Sequence, residues 1–176
     1  MSFKRLGLFA LSIFALVFVM SAVSAATIFS DDFNDGDLNG WAITNSPDPL
    51  PQPSGFWSNT GTFAEAKPGN GSASSTQGTS TLSRTISTSG FDTIIVSYNR
   101  QLEDFESSDF FNVSWSTDGS IYTILESNST GGDSAFVSKT FNLPSSANNN
   151  ANFRLKFECT TNALSEYCKL DNLLVE

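Results

Sequence analysis

Apolar and polar residues alternate with a period of two in several stretches of this chain, and no stretch outside its first 26 residues combines helical periodicity with helix caps. The clearest alternation runs through 153–159. Phe153, Leu155, Phe157 and Cys159 share one face, while Arg154, Lys156 and Glu158 share the other. Phe111, Val113 and Trp115 oppose Phe110, Asn112 and Ser114, and Ile94, Val96 and Tyr98 oppose Thr93, Ile95, Ser97 and Asn99. Successive side chains on a strand point to opposite sides, so each stretch predicts a half-buried strand. Asp118-Gly119, between two such stretches, predicts a tight turn. The pattern predicts an all-β fold: a two-sheet antiparallel sandwich of nine or ten short strands, its first and last strands side by side.

The two cysteines follow the same phase. Cys159 continues the apolar face of its strand, and Cys168 is in phase with Leu170 and Leu174. Both thiols are predicted to point inward and to form a disulfide that clips a final hairpin. Two segments are predicted as long loops: the proline-rich Asn45–Gly55 and the Gly/Ser/Thr-rich Lys67–Ser80.

Lys4 and Arg5, the apolar run Leu6–Met20 and the small residues Ser21–Ala25 form the three-part pattern of a secretory leader. Residues 1–25 are therefore read as a cleaved signal peptide and 26–176 as a single β-sandwich domain, secreted or held at the cell surface. An uncleaved N-terminal anchor facing outward is the alternative, because about 20 apolar residues span a bilayer. With the leader removed, seven basic residues stand against eighteen acidic ones, a side-chain balance of −11. That charge argues against nucleic acid as a partner, and against membrane insertion after cleavage.

Composition also limits the chemistry. The chain has no histidine, so Ser–His–Asp and Cys–His arrangements are excluded, as is an ordinary four-ligand zinc site. Paired carboxylates remain as a catalytic option. Their best cluster, Glu103, Asp104 and Glu106, reads more simply as a solvated acidic loop. Asp31, Asp32, Asp35 and Asp37 crowd into seven residues with Asn34 and Gly36 between them. Hard cations take several oxygen ligands from such turns, so this segment is a candidate calcium site, with Asp171 joining from the last strand. The alternative is an acidic turn in water.

The framing segments DDFNDGDLNGW (31–41) and KLDNLLV (169–175) resemble those of extracellular β-jelly-roll domains of the MAM, laminin G-like and carbohydrate-binding-module type. GFDTIIVSYNR (90–100) and FNVSWSTDGSIYTIL (111–125) resemble their central strands and hairpin. The resemblance implies a non-catalytic binding or adhesion module with a structural calcium ion at the joined ends. It carries over Asp32 and Asp171 as ligands, with Asp31 and Asp35 beside them.

Sugar recognition combines an aromatic platform with hydrogen-bonding side chains. Phe56 and Trp57, after the proline-rich loop, are candidates for such a rim; Tyr98, Arg100 and Gln101 are candidates for the end of a groove. Trp41 and Trp115 are expected in the core. Asn70, Asn112 and Asn128 begin N-x-S/T sequons and are candidate glycosylation sites. Three functional classes remain: a glycan-binding or cell-surface adhesion module; a self-associating envelope or filament-type protein whose Thr27–Ser30 strand exchanges between copies; and a small glycan-active enzyme.

Overall fold

The computed structural model describes residues 26–50, 54–69 and 77–176, so the signal peptide expected over 1–25 and the candidate sequon Asn70 lie outside the described residues. Eleven strands form among them: β1 (Phe29–Asp31), β2 (Ala42–Ser46), β3 (Ser58–Asn59), β4 (Ala64–Ala66), β5 (Gly78–Thr85), β6 (Ile95–Glu103), β7 (Phe110–Ser116), β8 (Thr123–Asn128), β9 (Val137–Asn142), β10 (Arg154–Thr161) and β11 (Tyr167–Val175). The count exceeds nine or ten because β1, β3 and β4 span only two or three residues, too few to show a period. β5 also begins inside the segment predicted as the second loop.

Two antiparallel sheets result. One has the order β2-β5-β10-β7-β8; the other has β3-β4-β11-β6-β9, with β1 also paired to β11. Only β3–β4 and β7–β8 join neighbours within one sheet; the remaining connections cross from sheet to sheet. The first and last strands do pair, through Phe29 with Val175 and Asp31 with Leu173.

One face of each of the three alternating stretches meets the others in a single core. Phe153, Leu155, Phe157, Phe111, Val113, Ile94, Val96 and Tyr98 are all buried there, and Trp115 stacks on Phe153 with centroids 5.9 Å apart. Each such side chain contributes roughly 1.5–3 kcal/mol by leaving water. Trp41 lies at the margin of this core against Phe33 and Phe157.

Two expectations about the last strands are corrected. Cys159 and Cys168 are bonded, but β10 and β11 belong to different sheets, so the disulfide ties the two layers together rather than clipping a hairpin. Both thiols point inward from facing strands, which brings their Cα atoms to 6.0 Å. Leu174 does not share a face with Cys168 and Leu170. The pairing of β11 with β6 shifts register between Asp171 and Leu174, and Asn172 sits at φ 48. This irregularity changes the phase, so Leu173 and Val175 enter the core while Leu174 turns outward. It falls where β11 passes from β4, paired at 168–170, to β1, paired at 173–175.

Candidate functional site

The outward face of the five-stranded sheet is polar and flanked by aromatic rings. Register aligns Thr44, Thr81, Glu158, Asn112 and Ser127 in one row across all five strands. Asn112 Nδ2 donates to Glu158 Oε1 at 3.5 Å, and Lys156 Nζ lies 3.5 Å from Glu158 Oε2. Phe110 is 39% exposed and pairs in register with Thr160, two residues along the strands on one side of the row. On the opposite side of the row Lys156 Nζ stands 4.5 Å from the centre of the Tyr122 ring. Ser114, between Lys156 and Ile124 in register, is buried, and its hydroxyl lacks a partner among the described residues. An unpaired buried hydroxyl costs about 1–3 kcal/mol. Regular strands hold the row's side chains at fixed spacing, the rigidity that a binding surface needs.

The side chains predicted to bind ligand do not form one site. Trp57 is fully buried: its indole N–H donates to Ser80 O at 3.0 Å, and its backbone N–H to Ser80 Oγ at 3.0 Å. Phe56, its neighbour, is 41% exposed, because adjacent residues of an extended segment point opposite ways. Tyr98 and Arg100 face inward from β6 and are buried. Tyr98 donates its hydroxyl hydrogen to Glu126 Oε2 at 2.6 Å. Arg100 Nε donates to Glu126 Oε1 at 2.8 Å, and its Nη1 pairs with Asp133. Burial alone would raise the Glu126 carboxyl, but hydrogen bonds from Tyr98 and Arg100 outweigh it and hold the group below the usual range. Burial, then the Glu126 charge, keeps the Tyr98 phenol protonated well above its ordinary value. Since β6 and β8 belong to different sheets, these residues clasp the sandwich along one edge. Gln101 faces the other way, on the outer face of the six-stranded sheet, with its Nε2 3.5 Å from Asp133 O.

The joined ends form a pocket of about 570 Å³ whose lining includes Asp31, Asp32, Asp35, Arg84 and Asn172. Oxygen donors suit calcium, but the five candidate carboxylates are not equivalent. Asp31 uses both oxygens, accepting from Phe33 N at 2.9 Å and from the Trp41 indole at 2.8 Å. Asp35 Oδ1 accepts from Asp37 N and Asn59 Nδ2, and Asp37 from Asn39. Asp171 lies within reach of Asp32: burial raises the Asp171 carboxyl, the Asn172 N–H lowers it, and the Asp32 charge adds to the rise. The Asn34 N–H holds Asp32 low. Among the described residues no three acidic side chains converge on one point. The donor set therefore fits a hard cation only with Asp32 and Asp171 as its charged ligands and backbone carbonyls, amides or water as the rest.

At the end of the sandwich where β6 meets β7 and β10 meets β11, Asp109 is fully buried and its Oδ1 has no partner among the described residues. Its Oδ2 accepts from Glu106 N at 2.7 Å. Burial raises its carboxyl to about 6; the Glu106 N–H opposes this, and the charges of Glu166 and Glu106 add to it. A group this enclosed does not face a ligand. Of the sequons, Asn112 is half-buried on the sheet face, and Asn128 Oδ1 accepts from Thr130 N at 3.2 Å.

Phe110, Tyr122, Lys156, Glu158 and Thr81 were not singled out as ligand residues from the sequence. Their outward phase was readable on β7 and β10, but their convergence depends on register between strands distant in sequence.

No family model matches this chain, and no curated protein matches it significantly. Solved structures do share its fold. The K3 cleaved adhesin domain of Lys-gingipain from Porphyromonas gingivalis W83 is 13% identical with a TM-score of 0.60, over 85% of this chain and 99% of that one. TmCBM61, solved in complex with beta-1,4-galactotriose, is 11% identical with a TM-score of 0.53, over 86% and 99%. A xylan-binding domain from CBM 22 is 14% identical with a TM-score of 0.50, over 87% and 96%. At these identities the likeness is one of fold: an antiparallel β-sandwich shared with adhesin domains and carbohydrate-binding modules.

Proposed function

We infer that this chain is a secreted or surface-exposed, non-catalytic module that binds glycans, in an adhesive or carbohydrate-targeting role. The observation that carries this reading is the outer face of the five-stranded sheet, where Phe110 and Tyr122 flank a row of amide, carboxylate, ammonium and hydroxyl groups. Aromatic rings stack on the apolar faces of sugars, and fixed polar groups between them select hydroxyl patterns. The shared fold with an adhesin domain, a galactotriose-bound module and a xylan-binding domain supports the same class. Among the described residues no helix is long and apolar enough to cross a membrane. In this reading Asp32 and Asp171 hold a calcium ion that secures the joined ends, a structural role remote from the sugar.

The test is Phe110→Ala, followed by glycan-array screening and calorimetry on the best ligand. Loss of a stacked ring is expected to weaken binding about ten-fold, roughly 1.4 kcal/mol, with the melting temperature nearly unchanged. Equal affinity of parent and variant would overturn the assignment of this face. A self-associating envelope protein is the second reading, favoured by Ile121 and Ile124, 78% and 56% exposed, on or beside edge strand β8. Concentration-dependent polymers in sedimentation, with no glycan bound, would select it.

A further inference from the structure

Arginine in so acidic a chain should find carboxylates readily. Arg100 does, as do Lys139, Lys156 and Lys169. Arg84 and Arg154 do not: among the described residues neither has a carboxylate within 4.0 Å. Both line the same pocket of about 240 Å³, completed by Gly40, Ala42, Ser83 and Thr85, with no acidic side chain in its wall.

The two guanidinium groups are held in place without being neutralised. Arg84 lies over the rings of Phe29 and Trp41, 4.4 and 5.7 Å from their centres, and its Nη1 donates to Asn39 O at 2.9 Å. Arg154 Nε donates to Thr85 Oγ1 at 3.1 Å. Each group rests against a glycine at positive φ. A Cβ on Gly40 would stand 2.9 Å from Arg84 Nη1, and one on Gly119 would stand 2.7 Å from Arg154 Nη1. Each arginine thus engages one of its five N–H donors in these bonds. Arg154 points outward with the Ser83 and Thr85 hydroxyls, whereas Arg84 leaves β5 on the inward phase, in register with Leu155, and its guanidinium comes to the pocket beside Gly40. The planar guanidinium fork matches carboxylate and sulfate oxygens two at a time.

Arg154 pairs in register with Thr85 and Ser116, at the edge of the outward face and two residues from Lys156, so the pocket is continuous with the face that carries Tyr122. Asp31, Asp32 and Asp35 line the joined-end pocket, which Arg84 also lines, and Asp118 precedes the Gly119 that Arg154 rests against; none of the four comes within 4.0 Å of either guanidinium. We propose that Arg84 and Arg154 form an oxyanion subsite at the end of the glycan-binding face, which selects glycans bearing a uronate carboxylate or a sulfate ester over neutral ones. The proposal rests on the glycan-binding reading for its ligand; the pocket's affinity for an oxyanion is a property of its own.

The experiment compares parent and Arg154→Gln in two formats. In the first, neutral, uronate-containing and sulfated oligosaccharides are titrated by calorimetry at low and moderate salt. The parent should prefer one or both acidic classes, increasingly so at low salt, and the variant should lower the acidic-to-neutral affinity ratio about ten-fold. The uronate and sulfate arms identify which oxyanion the pocket prefers. In the second, inorganic sulfate is titrated while the arginine Nε–H resonances are followed; the Arg84 and Arg154 signals should shift in the parent, and the Arg84 shift should weaken in the variant. Neutral binding without acidic preference, and no shift with sulfate, overturns the subsite while the glycan reading stands. Sulfate shifts lost in the variant, with no glycan bound, sustain the oxyanion pocket and overturn the glycan reading along with the selection proposed on it. Arg84→Lys, which keeps the charge but not the fork, should fall between the two; parent-like acidic selectivity in both variants overturns the role of these side chains.

Discussion

Trp57 owes its position to its one polar atom. A buried indole requires an acceptor for its N–H, and Ser80 O supplies it from the second residue after the start of β5. Ser80 Oγ in turn accepts the Trp57 backbone N–H and donates to Asn45 Oδ1, so one serine orders the entry and exit of the proline-rich loop. Trp57→Ala is expected to cost roughly 3–5 kcal/mol in urea unfolding, as an emptied aromatic site does. Trp57→Phe should recover part of that loss but leave Ser80 O without its donor. A loss below about 1 kcal/mol for the alanine variant would show that the ring does not fill the core.

Among elements, the loop after β6 and the loop between β10 and β11 meet around buried carboxyls. Glu166 Oε2 accepts from Asn162 N at 2.8 Å and Ala163 N at 2.6 Å, which shapes the second loop. Asn162 Nδ2 reaches back to Ser108 Oγ and Glu106 Oε1, which joins it to the first. Asp109 faces the carboxylates of Glu106 on its own loop and Glu166 on the other, and retains its proton up to a pH of about 6 when folded. The unfolded chain releases that proton near pH 4. The folded state therefore binds the extra proton between these values. This contribution is complete below about pH 4, declines as pH rises to about 6, and is absent above it. Asp109→Asn keeps the shape and places an amide donor toward the neighbouring carboxylates. The variant should be more stable than its parent at pH 7 by roughly 2 kcal/mol and lose less stability between pH 4 and 7. Chemical denaturation across that range tests it; a variant less stable at pH 7 would reverse the assignment.

Over the whole molecule, three ties hold the layers together: the core, the Cys159–Cys168 bridge from sheet to sheet, and the clasp of Tyr98 and Arg100 on Glu126, while the ends join within one sheet where β1 pairs with β11. The joined ends hold an uncompensated like-charge pair, because Asp171 sits partly buried within reach of the Asp32 charge. A cation bound there would relieve that repulsion. A ligand at 100 times its dissociation constant stabilises by about 2.7 kcal/mol, which for a domain of this size raises the melting temperature by roughly 5–10 °C. Calcium in excess over EDTA should produce that difference, and Asp171→Asn should remove most of it. Equal melting temperatures in calcium and EDTA would exclude a structural ion.

Side-chain alternation along a strand follows from covalent geometry alone, so the sequence by itself determined which residues of 111–115 and 153–159 point inward, while 94–98, with an isoleucine on each phase, left Tyr98 assigned to a groove. It also determined that Cys159 and Cys168 would meet, since both carry an inward phase beside a short connection. Only the tertiary structure decided that their strands lie in opposite sheets, because alternation reports the face of a residue and not its neighbouring strand. Leu174 shows the same limit within a strand: the irregularity after Asp171 arises where β11 exchanges one partner for another, and nothing local announces it. Arg100 looked available because its partners, Glu126 and Asp133, lie 26 and 33 residues away. The surface most suited to a ligand was hidden for a related reason. Phe110, Asn112, Glu158 and Tyr122 converge through the register of β7, β8 and β10, and register is set when both sheets bury their inner faces together.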